Sequence, residues 1–346
     1  MKLAIRLAVL FALTATAVNG QPNAPSRRVI IDTDFALPPQ DDGLALALAL
    51  NSPELDIVGI TTVTGNFNLA RANADVLRML EMTGHSKIPV YAGAARPLVH
   101  AKSDYAMSQH GEWWSDAPAP EPPGGFAGKT LESEAAADFL VRTVTADRGQ
   151  IEIIALGPLT NLALALQRQP SFAGAVKRLV IMGGAVASLP DGAGNVTPNA
   201  EFNFWVDPEA ARIVLRSGIP IELSALNVSR KTALTKHWYE RLVANDTPLT
   251  QLIRSQMDQV FVKTPTRSLL MFDEVAVASA IDPTLVRTEQ LIVDVDIAHG
   301  INYGVSVGSK RPWPGAEGAR TMAVQYDLDW DRFITMFVER VGGRRN

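Results

Sequence analysis

The chain has 346 residues, 47% of them hydrophobic, 20% charged and 7% aromatic, with a formal net charge of −4 at pH 7. That apolar content excludes intrinsic disorder, and a negative balance with no dense Lys/Arg run argues against a nucleic-acid partner, which needs a basic face. With no cysteine, disulfides, thiolate metal sites and cysteine nucleophiles are excluded together, so any metal must be held by carboxylate, carbonyl, hydroxyl or imidazole.

Residues 1–20 (MKLAIRLAVLFALTATAVNG) form a separate unit. Lys2 and Arg6 precede an apolar run over 7–18, and small residues follow. This is the order of a secretory signal peptide, and the run is short for a bilayer span. It predicts an exported protein, periplasmic or extracellular, with no stable membrane association once the segment is cleaved. An uncleaved anchor is the competing reading.

From residue 28 to the end a single domain is expected. A β-branched run at 29–31 ends in Asp32-Thr33-Asp34, and the Ala/Leu-rich 43–50 reads as a buried helix. DIVGITTVT (56–64) predicts a second strand landing on Gly65-Asn66, and 69–84 has helical spacing with Gly84 as its C-cap. Residues 88–91, 151–156 and 178–182 predict three further strands. Strands alternating with helices in near-continuous apolar runs point to an α/β fold, an open, mainly parallel sheet flanked by helices. Residues 117–128 (APAPEPPGGFAG) predict a surface loop or lid. Ligands of such sheets bind beyond the carboxyl ends of the strands, where the polar motifs fall.

Asp32, Asp34, Asp41 and Asp42 crowd one strand-to-helix turn. Left alone they would repel one another, and a hard divalent cation such as calcium, which takes six to eight oxygen ligands, compensates them. Helix capping accounts for one or two of these acids, not four. Three other segments stand beside this cluster: Gly157-Pro158-Leu159-Thr160-Asn161, the polar stretch from Asn195 through Glu201 to Asn203, and Phe272-Asp273 heading an apolar helix. Singly, each has a plain reading: a strand stop, a solvated loop and an N-cap.

Together, in this order, they resemble the inosine–uridine-preferring nucleoside hydrolase family. The resemblance runs from about Val29 to about Pro283, and more loosely beyond. It is carried by the aspartate cluster, TTVTGN, ALGPLTNLALAL, MGG, GNVTPNAEFNFWVDPEAA, and an aspartate before AVA and DP. It implies calcium-dependent hydrolysis of the N-glycosidic bond of ribonucleosides to free base and ribose, in a homo-oligomer. Asp34, Asp42, Asp273 and the Leu156 carbonyl would ligate Ca2+, with Asp34 also the base for the attacking water. Asp41, Asn66, Asn195, Glu201 and Asn203 would hold the ribose hydroxyls, with Met182 beside the sugar. An oxygen-rich anionic site suits the oxocarbenium character of the transition state.

Two departures shape the expectation. The family commonly reads DTDxG with DD close behind; this chain has DTDFALPPQDD, longer and without the turn glycine. Many members carry histidine where this chain has Phe272, as proton donor to the leaving base. An aromatic residue there resembles a purine-preferring branch, with Trp113 or Trp114 supplying an opposing face; core packing and a lid contact are the plainer readings. His110, in SQHGEWW, is a minor candidate acid. The expected function is therefore a purine-leaning nucleoside hydrolase. The alternative is a weak or inactive relative that binds a nucleoside or sugar.

Overall fold

The computed structural model describes residues 26–101 and 114–343, so the expected leader, His110 and Trp113 lie outside the described residues. A nine-stranded sheet organises the rest. Its parallel strands are β1 (Arg27–Thr33), β2 (Leu55–Thr62), β3 (Val90–Ala92), β4 (Glu152–Ala155), β5 (Arg178–Met182) and β6 (Ile221–Ser224). A short antiparallel pair, β7 (Leu234–Thr235) and β8 (Ser268–Leu269), stands apart. The chain returns to the main sheet with β9 (Val286–Val295), β10 (Ser306–Ser309) and β11 (Arg320–Leu328). The strand order is β10-β9-β11-β6-β5-β4-β1-β2-β3, and β9 runs antiparallel to both its neighbours.

This order decides where a ligand can sit. From β1 the chain winds outward through β2 to β3, then crosses back to place β4 on the other side of β1. The reversal opens a crevice beyond the carboxyl ends of β1 and β4, the switch point at which open α/β sheets bind ligands.

Each face of the sheet is covered by helices, as the apolar strands require. Along β1, Val29 and Ile31 point into one core while Ile30 points into the other, the two-residue alternation of a strand buried on both sides. The first face carries α1 (Asp41–Leu50) and α2 (Leu69–Met82); the second carries α3 (Ala136–Ala146) and α4 (Thr160–Arg168). Next come α5 (Phe202–Val206), α6 (Pro208–Leu215), α7 (Leu226–Ser229), α8 (Lys236–Leu242), α9 (Pro248–Lys263), α10 (Asp273–Ile281) and α11 (Trp330–Val341). In α10 every residue is buried, so its apolar surface continues all round.

Local signals explain the element ends. Gly84 takes φ +76°, its N–H meets the Glu81 carbonyl and the His85 N–H meets that of Leu80, closing α2 in a Schellman motif. The predicted strands and helices are all present, with bounds shifted by a few residues; α1 begins at Asp41, two residues early. Residues 117–128 form an irregular surface stretch, as expected. None of the helices among the described residues is long and apolar enough to cross a membrane.

Candidate active site

The carboxyl end of β1 delivers Asp34 into the crevice, almost fully buried. Its Oδ2 accepts the Asn66 backbone N–H at 2.6 Å, while its Oδ1 is buried without a hydrogen-bond partner. Two glycines let the backbone close around it. A Cβ on Gly65 would lie 2.0 Å from Oδ2, and one on Gly157 would lie 2.6 Å from Oδ1. The glycines that stop β2 and β4 therefore also make room for a carboxylate between two strand ends.

The longer turn after Asp34 leads into α1, whose first two residues are Asp41 and Asp42. Asp42 accepts from the Thr33 hydroxyl through Oδ1 and from the Asn66 side-chain amide at 2.8 Å through Oδ2. From the far side α10 presents Asp273 as its first residue, also buried. One oxygen each from Asp41, Asp42 and Asp273 lies within 4.8 Å of the others. The tightest triad thus contains Asp41, expected as a ribose contact, while Asp34 stands beside it.

The charged groups that act most strongly on these carboxyls are one another and the buried Glu274, all of one sign, and only hydrogen bonds from Thr33, Asn66 and nearby backbone N–H groups oppose them. Burial, then repulsion from Asp42, pushes the Asp34 carboxyl well above the usual carboxylate range. Burial, then Asp41, raises Asp42 to about 7. Burial, followed by Asp41, Asp42 and Asp34, pushes the Asp273 carboxyl well above the usual carboxylate range. An orphaned buried oxygen among converging hard-oxygen donors fits a hard divalent cation, which replaces the missing counter-charge.

Above these acids lies a cavity of about 300 Å3 whose walls include Asp41, Asn66, Leu156, Met182, Asn195, Glu201, Asn203, Phe272 and Asp273. The polar stretch after β5 is only partly a loop: Phe202 and Asn203 begin α5, and Glu201 is its N-cap. Glu201 accepts backbone N–H groups from Asn203 at 2.8 Å, Gly184 at 2.8 Å and Phe204 at 3.1 Å. Burial nonetheless raises it to about 7. Asn203 donates to the Leu156 carbonyl at 2.8 Å, so that oxygen keeps one lone pair for another partner.

The aromatic expectations divide. Phe272 is half-buried at the cavity wall, packed against the main core. Trp114 does not line the cavity; it is buried against Trp205 and Tyr303, where its large apolar area finds partners. Cavity-wall positions among the described residues include no histidine.

Some supports carried no clear signal of their own. Asn161 donates to Asp32 at 2.7 Å and to the Thr62 carbonyl at 2.9 Å, and accepts from the Ala94 N–H at 2.9 Å. It ties β1, β2 and the segment after β3 behind the site. Thr33 is the other, visible in sequence only as the middle of Asp-Thr-Asp.

Against known proteins, the family model described as inosine-uridine preferring nucleoside hydrolase matches residues 29–335. The chain belongs to this family. As a nucleoside hydrolase it acts on N-glycosyl bonds of ribonucleosides, and the family is metal-dependent. This nucleoside hydrolase is 32% identical over 312 residues to the pyrimidine-specific ribonucleoside hydrolase RihB of Escherichia coli, across 88% of this chain and 94% of that protein. Among solved structures it resembles a plant nucleoside hydrolase, the PpNRh1 enzyme, with TM-score 0.78 and 30% identity over 92% of this chain and all of that one. A purine-preferring ribonucleoside hydrolase from Gardnerella vaginalis aligns with TM-score 0.77 and 28% identity over 92% and 98% of the two chains.

Proposed function

We propose that this nucleoside hydrolase is calcium-dependent and cleaves purine ribonucleosides ahead of pyrimidine ones. The observation that carries the metal reading is the like-charged group of buried Asp34, Asp42 and Asp273 with half-buried Asp41 beside them, and with Asp34 Oδ1 unpartnered. Asp34, Asp42, Asp273 and the Leu156 carbonyl would hold the ion, with Asp41, whose carboxylate lies beside those of Asp42 and Asp273, holding a ribose hydroxyl. A hard cation bound there would supply Lewis acidity, which makes a nearby water more acidic.

The chain's own groups do the rest. Asn66, Asn195, Glu201 and Asn203 bind the ribose hydroxyls and fix the sugar over the acids; Glu201, with three N–H donors on its carboxylate, keeps lone-pair capacity for a hydroxyl. Asp34 takes the proton of the attacking water, whose oxygen bonds to C1′ as the C1′–N bond breaks. The bond pair leaves with the base, which picks up a proton, so one water is divided between sugar and base. The clustered carboxylates stabilise the positive charge that develops on the ribose ring.

Phe272 supports the purine reading. A phenyl ring donates no proton, but it stacks on a flat base, and a purine offers the larger face. The relatives' names point both ways, to a pyrimidine-specific and to a purine-preferring enzyme, so the weight rests on this residue. One assay tests both parts: ribose release from inosine, adenosine, guanosine, uridine and cytidine, with and without chelator. Purines faster than pyrimidines, with activity lost to chelator and restored by calcium, is the expected result. Faster uridine or cytidine overturns the base preference, and chelator-resistant turnover overturns the metal.

The leader supports export through its order of charge, apolar run and small residues. N-terminal sequencing of protein recovered from the periplasm or medium checks it; a cytoplasmic, uncleaved chain overturns it.

A further inference from the structure

Between β5 and Asn195 the chain makes a compact loop that α7 and its next two residues hold from one side. Asn227, within α7, donates to the carbonyls of Val186 at 3.1 Å and Pro190 at 2.7 Å, and accepts from the Val186 N–H at 3.0 Å. Arg230 then donates to three carbonyls in the next four residues: Asp191 and Ala193, each at 2.6 Å, and Gly194 at 2.9 Å. Lys231 pairs with the Asp191 carboxylate at 2.7 Å.

The loop needs such a clamp. Asp191 sits at φ +60°, a left-handed conformation that costs a residue with a Cβ. Gly194 is wrapped so closely that a Cβ there would fall 2.3 Å from the Thr197 oxygen and 2.4 Å from the Ala200 oxygen. Three carbonyls turned toward one point repel unless a cation meets them. Arginine's planar fork, with five N–H donors, satisfies all three at once, which a point-charge ammonium does not. Among the described residues Arg230 forms no ion pair with a carboxylate, so its charge is spent on the loop backbone alone.

Immediately after the last clamped carbonyl comes Asn195, on the cavity wall. Its Oδ1 accepts the Phe202 N–H at 2.9 Å, which leaves its amide N–H groups as the donors for the cavity. We infer that Arg230 is a positioning residue for substrate binding: by gathering the carbonyls of Asp191, Ala193 and Gly194 it holds Asn195 in place to receive the ribose. The inference rests on the ribose role proposed for Asn195. Arg230 touches none of the acids, so its effect falls on the binding of the sugar and not on the cation.

A double-mutant cycle on the full-length, calcium-loaded enzyme with inosine tests it. Arg230→Ala and Arg230→Lys should each raise KM roughly tenfold while kcat stays within about threefold, the size of losing a charge-assisted restraint. Calcium affinity by titration calorimetry should match wild type. Asn195→Ala should raise KM at least as much, and Arg230→Ala added to it should change nothing further. Additive effects in the cycle overturn the inference, as does full function of Arg230→Lys or a loss of calcium affinity in it. A normal KM for Asn195→Ala would instead show that the ribose role of Asn195 fails, which removes the basis of the inference separately. Should Arg230→Ala not fold, Arg230→Lys and Arg230→Gln run the same cycle.

Discussion

The Asp34 carboxylate packs directly onto the backbone of Gly65, leaving no space for a methyl group between them. A Cβ at position 65 would meet Oδ2 at 2.0 Å, the oxygen that accepts the Asn66 N–H. The strand end of β2 thus aims the carboxylate of β1. Gly65→Ala should push Asp34 off that N–H and lower kcat/KM by at least roughly tenfold, with a stability loss of about 1–3 kcal/mol from overpacking. Kinetics and thermal melts check this; wild-type activity in a well-folded variant would show that the aim of Asp34 does not matter.

Thr33 acts one step behind. Its hydroxyl donates to Asp42 Oδ1, and no other hydrogen bond reaches that oxygen among the described residues. Thr33→Val keeps the shape and removes the donor. Calcium affinity should fall roughly ten- to a hundredfold, the usual cost of losing a partner of a ligating carboxylate. Titration calorimetry reads it directly, and unchanged affinity would place the ion away from Asp42.

The raised carboxyls make cation binding pH-dependent. Asp42 is held up near 7, and Asp34 and Asp273 are raised as well, so part of the cluster is protonated in weakly acidic solution. A cation must displace those protons. Calcium affinity should therefore rise steeply as pH climbs from about 5.5 to about 8, with protons released on binding. The cation-free protein has the opposite trend. Acids whose folded pKa is raised are stabilising contributors only while protonated, so its stability should fall as pH rises from the ordinary carboxylate range through about 7. Melts across pH, with and without calcium, test both signs; a calcium-free protein that grows more stable over that range contradicts the account.

The proposed base preference rests on Phe272, half-buried at the cavity wall. Stacking of a base on an aromatic ring is worth ~1–3 kcal/mol, so Phe272→Ala should lower kcat for purine nucleosides roughly ten- to a hundredfold, more than it raises KM. Phe272→His should recover turnover of uridine and cytidine relative to inosine by adding a proton donor. Unchanged kcat in Phe272→Ala would mean that the base is activated by another route.

Much of this was legible in the sequence because it is local. Buried parallel strands need near-continuous apolar residues, helices flanking them need an apolar face, and turns between them need glycine or a cap; each of these is written within a dozen residues. The motif series Asp34, Asn66, Leu156, Asn203 and Asp273 was equally visible, because each residue follows a strand end or opens a helix.

What only the tertiary structure decided is which of these groups meet. Asp42 and Asp273 are 231 residues apart in the chain, and only the stacking of α1 beside α10 brings them within reach of one ion. That stacking also brings Asp41 into the triad, while elsewhere the fold leaves Asp34 with an unpartnered oxygen and seats Trp114 in a cluster with Trp205 and Tyr303. Nothing in the sequence marks Arg230, since three carbonyls converging on it are a property of a folded loop and leave no trace in residue type. Residue chemistry sets which contacts are favourable, but the register of the sheet and the crossing from β3 back to β4 determine which of them can form.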